Sequence, residues 1–236
     1  HVGGRWANIK AYFDPQAHNL VEIVSCWGVF EWMLFDALDS GHMVGVMCNS
    51  DGHKGRPGAE GPGAGEFGIA GGLTCVLAHD LSRTGIWEAL TQRRCYGTTG
   101  ARIDLDFQLA GKPMGTSLTG LSKASIKARV IGTSPLETLQ VFRNRKLIHQ
   151  VKAVEFSKAI RTSNRIRLIW SGSRMRGRGR RVDWSGTIQT DKAAIIEATT
   201  VSFDSAADGI TTMQPHLVAF QSQTTGDRDG IDLLLD

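Results

Sequence analysis

The chain has 236 residues, of which 41% are hydrophobic and 21% charged, a balance that excludes an intrinsically disordered polymer and predicts a folded globular protein. No apolar run approaches the roughly 20 residues of a membrane helix, so no membrane partner is expected. The formal net charge is +4 with a pI near 9.0, and the excess is local: five arginines fall between Arg174 and Arg181. Four cysteines, Cys26, Cys48, Cys75 and Cys95, form no CxxC pair and read as reduced core residues. The chain opens at His1 without a methionine, which reads as a fragment or processed form and leaves cytoplasmic and periplasmic placement equally open.

In chain order, Leu20 to Val24 reads as a short strand carrying one carboxylate, Glu22. Ser25 is placed to cap a helix whose apolar positions Phe30, Leu34, Phe35 and Leu38 recur at helical spacing, and Gly41 ends it. Met43 to Cys48 is a second buried strand, which makes the segment a parallel βαβ unit. Gly72 to Ala78 is a third strand, and Ser82 caps a helix with Ile86, Trp87 and Leu90. Beyond Gly100 the helical period disappears. Alternating runs such as Ile103–Phe107, Arg165–Trp170, Val182–Ile188 and Leu217–Phe220, separated by turn residues, predict antiparallel strands packed as a sandwich. The expected organisation is therefore an α/β portion over 1–100 and an antiparallel β-sandwich over 101–236.

Chemistry concentrates after the second strand. Asp51 and His53 lie two residues apart at its carboxyl end, spacing that turns both side chains the same way on an extended segment and suits a metal pair. Lys54 and Arg56 follow, where cations suit an anionic substrate, and then comes a glycine-rich loop with Glu60 and Glu66 at its flanks. The bland reading of such a string is a solvated surface turn. Glu22 reads as a carboxylate orienting a ligand or as a loop-facing ion-pair member. There is no Gly-x-Ser-x-Gly elbow, no P-loop and no dinucleotide fingerprint.

The strings Ser50-Asp51-Gly52-His53-Lys54-Gly55-Arg56-Pro57-Gly58 and Arg94-Cys95-Tyr96-Gly97-Thr98-Thr99-Gly100-Ala101-Arg102, with the opening His1-Val2-Gly3-Gly4-Arg5, resemble a bacterial family of uncharacterised proteins related to the PHP (polymerase and histidinol phosphatase) superfamily. That resemblance implies part of a distorted β/α barrel, a metal-dependent hydrolase, and two or three divalent ions such as zinc, manganese, iron or magnesium. It implies His1, Asp51, His53 and Glu22 as metal ligands, Asp51 and His53 as the catalytic pair, and Lys54 and Arg56 as contacts to a phosphoester or other anionic substrate. The superfamily's first-strand His-x-His pair is missing: no two of the seven histidines are two apart. The chain accordingly resembles the carboxyl-terminal part of a longer protein, whose amino-terminal part would be its partner in assembling the site.

Two functions follow. In the first, metal-activated water cleaves a phosphoester, with Lys54 or Arg56 on the developing charge. In the second, the chain is a non-catalytic binding or accessory module that recognises an anionic polymer or a protein partner. The arginine run 174–181 would be its contact to nucleic acid or another polyanion, against the simpler reading of a solvated hairpin tip.

Overall fold

The computed structural model describes residues 8–25, 28–52, 71–152, 164–172, 181–203 and 205–236. The chain falls into two compact units. The first gathers residues 1–25, 30–50 and 72–153, so that residue 100 lies inside it; the second gathers residues 26–29, 51–71 and 154–236.

The first unit begins with strand β1 (Leu20–Ser25). The short strand β2 (Gly28–Val29) belongs to the second unit. Helix α1 (Glu31–Asp39) leads into β3 (Gly45–Cys48), which pairs in parallel with β1 in the register Leu20 to Gly45 and Glu22 to Met47. The βαβ segment closes because α1 buries Met33 and Ala37, with Phe30 at its start, on the strand side. Its first turn does not begin where the sequence places it. Ser25 is fully buried at the end of β1, and the helix starts from Phe30 without a side-chain cap. Gly41, with φ +76°, turns the chain out of the helix in a conformation that favours glycine.

Next come β4 (Leu73–Val76), helix α2 (Arg83–Thr91) and β5 (Cys95–Thr98). Ser82 caps α2, its hydroxyl accepting from Gly85 N at 3.0 Å. Strands β4 and β5 pair antiparallel, Leu73 opposite Thr98. The Tyr96 hydroxyl donates to Ile103 O at 2.7 Å and accepts from Leu105 N at 3.0 Å. It ties β5 to the next strand, β6 (Asp104–Leu109). That strand lies between β7 (Lys112–Pro113) and β8 (Ile126–Ile131), and β9 (Thr138–Arg143) forms a hairpin with β10 (Lys146–Lys152).

In the second unit, β11 (Arg165–Ser171), β16 (Arg228–Leu235) and β13 (Ile195–Val201) form one antiparallel sheet. The other holds β12 (Val182–Gln189), β15 (Leu217–Thr224) and β14 (Gly209–Gln214). Ile195, Val218, Ile231 and Leu233 meet between them, with Trp170, Phe203 and Phe220 packed alongside. Alternation explains the burial: Val218, Ser222 and Thr224 of β15 point inward, as do Asp229, Ile231 and Leu233 of β16.

This architecture overturns the expected fold class. A β/α barrel needs a ring of parallel strands, each followed by a helix. Among the described residues strands dominate in several small, mostly antiparallel sheets, and the two helices have nine residues each. The β1–β3 pair is a single βαβ segment, and the helix after β4 returns the chain to an antiparallel neighbour, so there is no barrel.

Candidate functional site

The carboxyl ends of β1 and β3 bring a small polar group together. Asn49, the residue after β3, donates from Nδ2 to Glu22 Oε1 at 3.1 Å. Thr74 of β4 reaches across: its hydroxyl donates to Cys48 O at 2.7 Å and accepts from Cys48 N at 2.9 Å. The same oxygen is 3.3 Å from Asn49 Oδ1, but its one proton serves the shorter contact. Gly72 N donates to Asn49 O at 2.9 Å, which fastens the start of β4 to the end of β3. A side chain at Gly72 would press into Cys48 Cβ at 2.6 Å, so only glycine permits this approach.

Glu22, the third residue of β1 and opposite Met47 of β3, is thus a carboxylate steered by an amide that follows the carboxyl end of β3. Asn49 and Thr74 are the positioning residues sequence reasoning missed. Their signal is a polar residue immediately after a buried strand and a threonine inside the next one. Asp51 follows with a left-handed backbone, φ 49°. Burial first, and the Glu22 charge second, push the Cys48 thiol up to about 11, and burial does the same to Cys95. Both thiols stay protonated and unreactive at neutral pH.

Of the expected metal ligands, Glu22 and Asp51 lie among the described residues, whereas His1 and His53 do not, nor do the expected substrate contacts Lys54 and Arg56. The proposed sharing of one pocket by Asp51 and His53 therefore falls outside the described residues. Among the described residues no three His, Cys, Asp or Glu side chains gather to hold a metal, so a metal-binding hydrolase has no support there. Two of the described histidines, His42 and His18, make local contacts. His42 stacks on Phe13 at 3.8 Å and lies 3.0 Å from Ile9 O, and His18 Nδ1 accepts from Asp14 N.

A different surface stands out on α2. Leu81, just before the Ser82 cap, is 93% exposed, and Trp87 of the helix is 67% exposed. With Ile86, Leu90, Arg83 and Thr84 they line a concavity of about 820 Å³. The helix packs on β4 through its other side, where Ala89 is buried.

The basic groups of the second unit are largely neutralised where they are described. Arg165 pairs with Glu197 at 3.7 Å, Arg167 with Asp232 at 2.6 Å and Arg181 with Asp183 at 3.0 Å. Residues 173–180, with the remaining arginines of the run, lie outside the described residues. No helix among the described residues is long and apolar enough to cross a membrane.

Residues 42–128 match the family described as "Protein of unknown function (DUF3604)", a segment that contains β3, α2, Asn49 and Thr74 but not Glu22. An uncharacterized protein of Chlamydia trachomatis serovar D is 28% identical over 163 residues, covering 58% of this chain and 26% of the relative. One of Chlamydia pneumoniae is 30% identical over 162 residues with the same coverage. One of Chlamydia muridarum is 39% identical over 84 residues, covering 33% of this chain and 14% of the relative. The chain spans about a quarter or less of the length of these relatives. No solved structure matches it significantly. The family match and these relatives replace the resemblance to the PHP superfamily, which nothing among them supports; the strings around Asp51 and Arg94 fall within the segment that matches DUF3604.

Proposed function

We propose that this chain is a protein-binding module, and that the apolar face of α2 receives a segment of a partner polypeptide. The observation that carries this reading is the pairing of two exposed large side chains, Leu81 and Trp87, with a concavity that Ile86 and Leu90 also line. A soluble fold loses free energy by leaving such a contiguous apolar face wet, and aromatic anchors beside a pocket are the usual carriers of binding energy. Arg83 at the rim adds one cation, which favours a segment with aliphatic or aromatic anchors and a flanking carboxylate. The other form of this reading, an anionic polymer, is less well supported. Arg165, Arg167 and Arg181 of the second unit already face carboxylates, and an ion-paired guanidinium has little charge left for phosphate.

The test is selection of peptides from a displayed random library against the chain, with Leu81→Glu/Trp87→Glu as counter-target. Apolar peptides carrying an acidic residue are expected to bind the natural chain at micromolar affinity and the double variant at least tenfold more weakly. Peptides that bind both equally, or a wild-type chain that self-associates through this face in light scattering, would overturn the assignment to a separate segment.

A further inference from the structure

The interior of the second unit contains a carboxylate that nothing in the preceding reading uses. Asp229 is the first inward-facing residue of β16, in line with Ile231 and Leu233, and it is 1% exposed. Neither of its carboxylate oxygens has a hydrogen-bond partner. Directly across the ladder on β11 is Trp170, whose indole N–H is committed to Ser222 Oγ at 2.8 Å. On β15, Ser222 is the hydroxyl nearest in effect, but it makes no hydrogen bond of acceptable geometry to Asp229. Thr224 is also engaged, donating to Gly172 O at 2.7 Å and accepting from Trp184 Nε1 at 2.9 Å. From β13 the opposing stretch is Thr200 and Val201, which carry no charge. The charged groups that act on Asp229 among the described residues are both acidic, Asp208 before β14 and Asp227 in the turn before β16. Arg228 beside it is exposed and on the outward side of the strand.

An ionised carboxylate in that place would be a desolvated charge with two acidic neighbours, relieved only by the Ser222 hydroxyl. We propose that Asp229 is a proton-dependent latch: protonated, it lets the two sheets of the second unit close over Trp170 and Ser222, and ionised, it loosens that end of the packing. Burial, tempered by Ser222 and reinforced by Asp227 and Asp208, raises its pKa to about 7. In the unfolded chain the same carboxyl titrates near its ordinary value of about 4. Between those values the unfolded form has lost a proton that the folded form keeps. Stability therefore declines as pH rises across that window and is level on either side.

The experiment is thermal unfolding of the chain, followed by tryptophan fluorescence, for the wild type and Asp229→Asn from pH 4 to 8. The wild-type midpoint is expected to drop by on the order of 10 °C across the window more than that of the variant. Identical pH profiles would overturn the latch. Should Asp229→Asn fail to fold, infrared spectroscopy of the wild type decides. A buried protonated-carboxyl band at about pH 6 that vanishes by about pH 8 supports the latch, and its absence at about pH 6 rejects it. Because Asp229 and α2 lie in different units, failure of the peptide-binding test leaves this one unaffected.

Discussion

Cys48 shows how much one side chain can fix. It is buried at the end of β3, its backbone is clasped by Thr74, and its sulfur lies against Gly97 of β5. A Cβ at Gly97 would overlap Cys48 Sγ, so the glycine is required by space rather than by its φ. Gly97→Ala is expected to lower unfolding stability by roughly 1–3 kcal/mol in urea titration. Adding Cys48→Ala should restore part of that loss by removing the sulfur; a double variant no more stable than Gly97→Ala would show that the strain lies elsewhere. Glu22 was visible in the sequence as a carboxylate in a strand, but its steering by Asn49 joins residues 27 apart in the chain and follows only from the parallel register. The inward alternation 229, 231, 233 is the signal that would have singled out Asp229.

At the scale of elements, the second helix was the most legible feature. Ser82 followed by Ile86, Trp87 and Leu90 marks both its start and its apolar face. The first helix was legible in its body and its glycine stop. Its start was misplaced because Ser25 is used inside β1 instead. In the antiparallel sheets the cross-strand pair Arg167 and Asp232 is held by two hydrogen bonds, 2.6 and 2.7 Å, directly opposite in register. Those bonds, and then the Arg167 charge, hold the Asp232 carboxyl below its usual range. The stability from this pair is present above the unfolded carboxyl's pKa and is lost as pH falls through the lower folded value, the opposite sense to Asp229. Both side chains are partly exposed, so Arg167→Ala should cost no more than about 1 kcal/mol at neutral pH. The difference between variant and wild type should vanish in strong acid; a gap that persists in urea titrations below about pH 2 would mean that packing of the arginine stem, not charge, is responsible.

For the molecule as a whole, the proposed docking face makes a prediction about stability as well as binding. Leu81 and Trp87 touch little of the fold, so Leu81→Glu/Trp87→Glu should shift unfolding free energy by no more than about 0.5 kcal/mol per site. A large drop in calorimetry would identify the face as part of a core. Composition alone determined a folded, basic chain, and local periodicity determined α2, β1, β3 and the alternation of the later strands. Those properties depend on neighbours within a few residues. Sequence did not decide that the strands assemble as small, mostly antiparallel sheets rather than a barrel, because a βαβ period specifies one parallel pair and not what the next strand joins. Nor did it decide which apolar face stays uncovered, or that an aspartate ends up buried between two sheets. A hydrophobic period says which side of an element seeks cover, and only the packing of distant segments decides whether cover arrives.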